Sequence, residues 1–381
     1  MTATEVKKGL DGVVVTATRL SKVEREGRLI YCGYDIHDLA QNASFEEIVF
    51  LLWNNRLPTK TELDSFRVQL RECTEIPGLI FEHMKHYSPE AHPMAALRTA
   101  VSALSMIDPV PDDTTPEHIR YAACQLLGSL PAIVAGWHRV RRGLDPIPVR
   151  ADLGHAANYL WMLHGKEPDP LAVRAVDMYL VLLADHGLNA STFAARVTTS
   201  TQSDMYSAIT SAIGALKGVA HGGANEAAMR MFMEIGDASN VENWFRQVRA
   251  QGKRIMGIGH RIYKHEDPRA VELVKMSEAL AERMGGDVAR WHAIAIRLAE
   301  IARSDPYFVD RNLYPNVDYY SAPVLYAAGV PVDLFTPTFA ISRVAGWSAH
   351  ILEQWEDNRL IRPQSEYIGL EGLPWPPLDA R

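Results

Sequence analysis

FTPTFAISRVAGWSAHILEQWEDNRLIRPQSEYIG, residues 335–369, holds the pattern that decides the fold. Ile341, Val344, Trp347, Ile351 and Trp355 recur at three- and four-residue steps, the period of one face of an α-helix. Thr336 before Pro337 reads as a cap followed by proline at the first helical position, where the missing N–H has no partner to lose. The same signals recur outward along the chain. Thr115-Pro116, Asp169-Pro170 and Asp267-Pro268 repeat the cap and the proline. Ser44 with Glu47, and Thr59 with Glu62, are capping boxes, in which the hydroxyl accepts from an early backbone N–H and the glutamate reaches back. Residues 171–186 are apolar nearly all round, most strongly over 178–184, which predicts a central buried helix. Strand-like runs are confined to the start, at 13–17 and 28–31, with Glu26-Gly27 as a turn. The expectation is an all-α fold with a small N-terminal β-hairpin.

At 381 residues the chain suits two domains rather than one core. A net charge of −7 argues against nucleic acid as a primary partner, because phosphate binding needs a basic face. Three widely spaced cysteines, Cys32, Cys73 and Cys124, give no disulfide framework and no zinc motif, so a reducing, cytoplasmic setting is expected. The start, MTATEVKKGLDG, lacks the apolar stretch of a signal peptide, and no uninterrupted apolar run reaches the ~20 residues of a membrane span.

Five segments carry candidate chemistry. ADHGLNASTF, 184–193, places His186 at the end of the apolar helix; taken alone, it reads as a satisfied structural histidine. GVAHGGANEAAMRMF, 218–232, places His221 ahead of a helix start, whose dipole favours a neutral ring able to donate to a developing oxyanion. The plain alternative is a histidine in a tight turn. RIMGIGHRIYKHEDPRAVEL, 254–273, combines a glycine loop, His260, and Arg269 in the first turn of a helix, where guanidinium and dipole together attract a carboxylate. The alternative is a surface loop with a capped helix. GIGH is not a dinucleotide fingerprint, because GxGxxG and its strand are missing. YPNVDYYSAP, 314–323, sets Asp318 among apolar groups that raise a carboxylate toward the range of a general base, although taken alone it reads as a helix cap. The fifth segment, 335–369, carries Arg343 and, beyond the helix, Arg362; either could be merely solvated.

Together and in this order, DHGLNAS, HGGANE, GIGHRIYKHEDPR, PNVD, FTPTFAISR and NRLIRP resemble the citrate synthase family. Milder similarity in GLDGVVVTATRLS, GYDIHDLA, LPTKTEL and HPMAALRTAVS extends it over nearly the whole chain. The resemblance implies a homodimer with shared active sites. Each subunit would have a large helical domain, 1–221 with 324–381, and a small one, 222–323, that closes over the substrates. It implies condensation of acetyl-CoA with oxaloacetate and water to citrate and free coenzyme A. Asp318 would take a proton from the thioester methyl, His221 would hold the enol or enolate oxygen, and His260 would polarise the oxaloacetate carbonyl. His186, Arg269 and Arg343 would hold oxaloacetate, with Arg362 arriving from the other subunit. Ile255, Met256, Gly257, Ile258 and Gly259 would read the adenine of coenzyme A, and Lys264 would lie near its phosphates. The coenzyme A thioester is a substrate; no permanently bound cofactor, metal, nucleic acid or membrane is implied.

Two rivals share these residues. A 2-methylcitrate synthase uses propionyl-CoA with the same machinery, and one methylene is worth roughly 1–3 kcal/mol in a pocket, too little to read here. An inactive helical scaffold would be expected to have broken the His221, His260, Asp318 set, which is present. The segment GYDI follows Tyr31-Cys32, where many family members have an arginine before the glycine, so no anion contact is expected there. The extra N-terminal region of longer, NADH-inhibited members is not expected here, so a dimer without that regulation is expected. His83 and His86 have helical spacing but no further ligands for a metal. Arg139, Arg141 and Arg142 read as a solvated helix end, with a contact to a coenzyme phosphate as the weaker alternative.

Overall fold

The structure is a computed structural model that describes residues 7–10, 12–74 and 76–381. Part of the N-terminal stretch read above as lacking a signal, 1–6 and 11, lies outside these residues. Seventeen α-helices are found among the described residues. They are α1 Ile36–Asn42, α2 Phe45–Asn54, α3 Lys60–Glu72, α4 Gly78–Met84, α5 Pro93–Leu104, α6 Pro116–Val140, α7 His155–His164 and α8 Pro170–Leu183. There follow α9 Ala190–Ser200, α10 Met205–Leu216, α11 Ala224–Ile235, α12 Val241–Ala250, α13 Pro268–Met284, α14 Gly286–Ser304, α15 Pro306–Val309, α16 Val317–Ala327 and α17 Phe335–Glu356.

The predicted caps form where the side chains have orphan N–H groups to accept. Thr115 accepts from His118 N, Asp169 from Leu171 and Ala172 N, and Asp267 from Arg269 N. Both capping boxes are made. Thr336 is the exception. α17 begins two residues earlier, at Phe335, so Pro337 sits at the third helical position and Thr336 Oγ1 donates instead to Gly222 O at 3.2 Å. Proline is tolerated there because none of the first four N–H groups has a partner inside the helix.

The hairpin also differs from expectation. β2 Arg28–Tyr31 pairs antiparallel with β1 Ser21–Glu24, in the register Ser21 to Tyr31, and a short β3 Tyr34–Asp35 adds to its other side. Residues 13–17 form no strand; Val14 is 89% exposed. Turn and length at Gly27 select the polar segment nearer the turn over the β-branched run.

α17 is buried on every face from Phe335 to Ile351 and packs against α2, α6, α8, α9 and α10. α8 is likewise enclosed from Met178 to Leu183, where its pattern is apolar all round, while Leu171, Val173, Arg174 and Asp177 remain partly exposed. α6 is by length and composition able to cross a membrane, which the sequence reading did not single out, but it is mostly buried against α3, α5, α7 and α17. α11 to α16 pack chiefly on one another, with α13 and α16 also reaching α8. The division expected near 323 falls at Pro323, inside the continuous helix α16.

Candidate active site

The last carbonyls of α8 have no partners within the helix, and distant segments satisfy them. Tyr31 Oη donates to Leu182 O at 3.1 Å and Asp185 O at 2.8 Å, Arg343 Nε to Leu183 O at 2.7 Å, and Gly346 N to Ala184 O at 3.0 Å. Gly346 has to be glycine: a Cβ there would lie 2.4 Å from Ala184 O. Hairpin and α17 thus clamp the turn that carries His186. That ring, 7% exposed, has its Nε2 3.0 Å from Tyr263 Oη and meets the His260 ring edge-on at 5.3 Å.

The glycine loop is fastened to the segment before Asp318. Gly257 O accepts from Asn316 N at 2.8 Å, Gly259 N donates to Tyr314 O at 2.7 Å, and Asn316 Nδ2 donates to Gly259 O at 2.8 Å. Gly257 has φ 75°, and a Cβ would strike Tyr319 at 2.8 Å, so both the backbone and the close approach demand glycine. His260 follows, stacked on Tyr263 at 4.5 Å. Its Nδ1 accepts from Ile262 N at 3.1 Å and Tyr263 N at 3.0 Å. An acceptor nitrogen carries no proton, so the ring is neutral with its hydrogen on Nε2. Burial, then the nearby Arg269, hold its pKa down to about 4.

Asp267 joins the two halves of this region. Its carboxylate binds Arg269 through Nε at 3.0 Å and Nη2 at 2.9 Å, caps α13, and accepts from Val317 N at 3.0 Å. Asp318 is next in the chain, at the start of α16, partly buried. Burial pushes its carboxyl up to about 6; Arg269 and Arg343 pull it down and Asp267 pushes it further up. The cap of α16 is Asn316, which accepts from Asp318 N and Tyr319 N, leaving the Asp318 carboxylate free of that role.

His221 lies 2.8 Å through Nε2 from Ser191 Oγ. That hydroxyl accepts from Trp347 Nε1 at 3.1 Å, and Asn189 Oδ1 nearby already accepts from Ser191 N and Thr192 N. The Ser191 hydroxyl lies 2.8 Å from both Asn189 Oδ1 and His221 Nε2; with Nε2 engaged by Ser191, Nδ1 is the ring nitrogen left to meet a substrate. The pKa of His221 is held down to about 4 by burial first and Arg343 second. α11 begins only at Ala224, so desolvation, rather than the helix dipole expected from sequence, keeps this ring neutral.

Arg343 and Arg269 bind these groups into one electrostatic unit. Arg343 acts on His186, His221 and Asp318, and Arg269 on His186, His260 and Asp318. His186 lies well below its ordinary pKa, through burial first. Beside them run the loop residues Ile255, Met256, Gly257, Ile258 and Gly259, and Lys264, whose N–H donates to Arg25 O at 2.9 Å. Arg362 is not part of this cluster. It is exposed just past Ile361, whose N–H is held by Ser200 Oγ at 3.0 Å. His83 and His86 are exposed, and no group of three metal-ligating side chains occurs among the described residues. Arg141 is not merely solvated: it is an ion-pair partner of Asp333 at 2.7 Å.

Sequence reasoning overlooked Tyr263, Ser191 and the second role of Asp267. All three lie within the quoted motifs, but their work is to hold other side chains, which spacing alone does not reveal. A pH prediction follows from Asp318. A base must be ionised, so kcat/KM should fall about tenfold per pH unit below its pKa, which lies at about 6. His221 and His260 stay neutral down to about 4 and add no limb above that. A profile flat from pH 8 to pH 5 would exclude Asp318 as the titrating base.

The sequence profile described as citrate synthase, C-terminal domain, matches residues 9–364. Citrate synthase 2 of Bacillus subtilis is 48% identical over 382 residues, covering 100% of both chains. The 2-methylcitrate synthase of Mycobacterium tuberculosis is 45% identical over 371 residues, covering 96% of this chain and 91% of its own. Among solved structures, the ternary complex of carboxymethyl coenzyme A and oxaloacetate with citrate synthase from Thermoplasma acidophilum superposes with a TM-score of 0.93 at 34% identity, covering 99% of this chain and 100% of that one.

Proposed function

The chain belongs to the citrate synthase family, and from that premise we propose how its residues divide the work of condensing acetyl-CoA with oxaloacetate and water to citrate and free coenzyme A. The enzyme is an acyltransferase that converts the acyl group to an alkyl group on transfer. The observation that carries the assignment of roles is the meeting, around two buried arginines, of a carboxyl raised to about 6 with two imidazoles held neutral.

Asp318 removes a methyl proton from the thioester. That proton is weakly acidic, so the developing enolate oxygen needs a donor in place as it forms. His221 supplies Nδ1–H, oriented by Ser191. His260 supplies Nε2–H to the oxaloacetate carbonyl, which makes its carbon the electrophile and quenches the new alkoxide. The C–C bond then joins the thioester α-carbon to that carbonyl carbon, and hydrolysis of the citryl thioester releases coenzyme A. Arg269, Arg343 and His186 hold the dicarboxylate. Gly257 and its neighbours, with Lys264, receive the nucleotide end, and residues 222–323 close as the smaller lobe.

Propionyl-CoA is the second reading, and the 45% identity to a 2-methylcitrate synthase favours keeping it. Thiol release with oxaloacetate and each thioester tests the choice: acetyl-CoA is expected to give the higher kcat/KM, and a clear propionyl preference would overturn it. Arg362, exposed in its own subunit, is proposed to complete the site of a partner in a homodimer. Mixing Arg362→Ala with Asp318→Ala subunits should then restore part of the activity, because one site in a mixed dimer is intact. No recovery after verified subunit exchange would remove Arg362 from the site.

A further inference from the structure

A second buried charge cluster lies directly behind His186 and Arg343. Asp185 and His350 have no solvent exposure, and Arg196 is 3% exposed. Arg196 Nη1 donates to His350 Nδ1 and to Glu353, both at 2.8 Å, and its Nε donates to Gln354 at 3.0 Å. A guanidinium only donates, so Nδ1 of His350 is bare and its ring proton is on Nε2. That Nε2 faces Asp185 at 3.3 Å. The same carboxylate accepts from Ser21 Oγ and, at 3.2 Å, from Gly187 N. Three groups from the hairpin, the His186 turn and α17 therefore hold Asp185 in one place.

That place is one turn along α17 from Arg343. Asp185 Oδ1 lies where a Cβ on Gly346 would come within 2.5 Å, and positions three apart on a helix are neighbours at roughly 5–6 Å. Arg343 spends Nε on Leu183 O, and its two terminal nitrogens make no protein hydrogen bond among the described residues. Arg269 differs: Asp267 already occupies one edge of its guanidinium. A carboxylate near a buried guanidinium ordinarily forms a two-pronged pair and consumes its donors. Asp185 lies close enough to be the largest influence opposing the effect of burial on Arg343, yet makes no such pair.

We propose that Asp185 is a held-back counter-ion. Ser21, Gly187 and His350 restrain its carboxylate so that it balances Arg343 while leaving that residue's terminal N–H groups for the substrate carboxylate. Asp185 is thus a positioning residue for oxaloacetate, an inference that rests on the family reading above. Releasing Asp185 should let it swing onto Arg343 and compete with substrate.

Ser21→Ala removes one restraint at the hairpin with little loss of packing, and His350→Leu, which cannot donate to Asp185, removes another while Arg196 keeps Glu353 and Gln354 as partners. Each is expected to raise KM for oxaloacetate about tenfold, the effect of one charge-assisted contact, with KM for acetyl-CoA and melting temperature near the wild-type values. Adding Asp185→Asn to either should return KM for oxaloacetate to within about threefold of wild type, because the amide is a poor partner for Arg343. A merely structural role predicts that the double variants are as impaired as the single ones or worse. That pattern, or single variants with unchanged KM, would overturn the proposal. Wild-type turnover is measured alongside; its absence would count against the family reading, whereas unchanged variants of an active enzyme count only against the counter-ion.

Discussion

Asp318→Ala is expected to reduce thiol release about a thousandfold, within the range usual for loss of a positioned general base. No other carboxylate in the site is free to replace it. Asp267 is fully engaged by Arg269, the cap of α13 and Val317 N. Asp185 is held behind α8 by Ser21, Gly187 and His350. Asp318→Asn, which keeps the size and loses the basicity, should show nearly the same loss. Both variants should bind oxaloacetate with close to wild-type affinity, because Arg269, Arg343 and His186 are untouched. Steady-state thiol release together with calorimetric oxaloacetate binding separates the two steps. Retention of more than a tenth of wild-type turnover would remove Asp318 as the base.

Asp267→Ala is expected to have the largest effect on stability, about 3–5 kcal/mol, because it strands the buried Arg269 charge. Loss of the helix cap adds about 1 kcal/mol, and Val317 N is left without an acceptor. Burial pushes the Asp267 carboxyl up, and its pairing with Arg269, helped by His260, outweighs burial to keep its pKa below the ordinary range. Arg269 is buried too, and Asp267 overcomes the effect of burial to raise its pKa. Urea unfolding gives the cost directly. Asp267→Asn should lose less, since an amide oxygen still caps α13 and accepts from Val317, but activity should fall with both as Arg269 loses its alignment. A cost below about 1 kcal/mol for the alanine variant would show that Arg269 finds another partner.

How much of this was legible depended on whether a residue acts locally. The caps at Thr115, Asp169 and Asp267 follow from neighbours within three positions, and they stand where the sequence places them. Thr336 was misplaced because proline is accepted throughout the first turn, so the pair fixes the start of α17 only to within a residue or two. The strand at 13–17 failed because β-propensity measures fit to a neighbour, and β2 takes Ser21–Glu24 instead. The groups proposed to react, His221, His260 and Asp318, stand out in the sequence through their motifs. Their environment does not: His221 owes its neutrality to burial beside Arg343, which arrives from α17. Least legible was the Asp185 cluster, since His350 and Asp185 lie 165 positions apart and Arg196 enters from α9.

The central claim is that Asp318, His221 and His260 face a single pair of reacting carbons. A crystal structure of this protein with oxaloacetate and carboxymethyl coenzyme A bound tests it most directly. The account predicts His260 Nε2 within hydrogen-bond distance of the oxaloacetate carbonyl oxygen, His221 Nδ1 on the carboxymethyl group that stands in for the enolate, and Asp318 beside that group's methylene. Ligands bound with any one of the three side chains turned away from them, and no lobe movement able to bring it back, would contradict it.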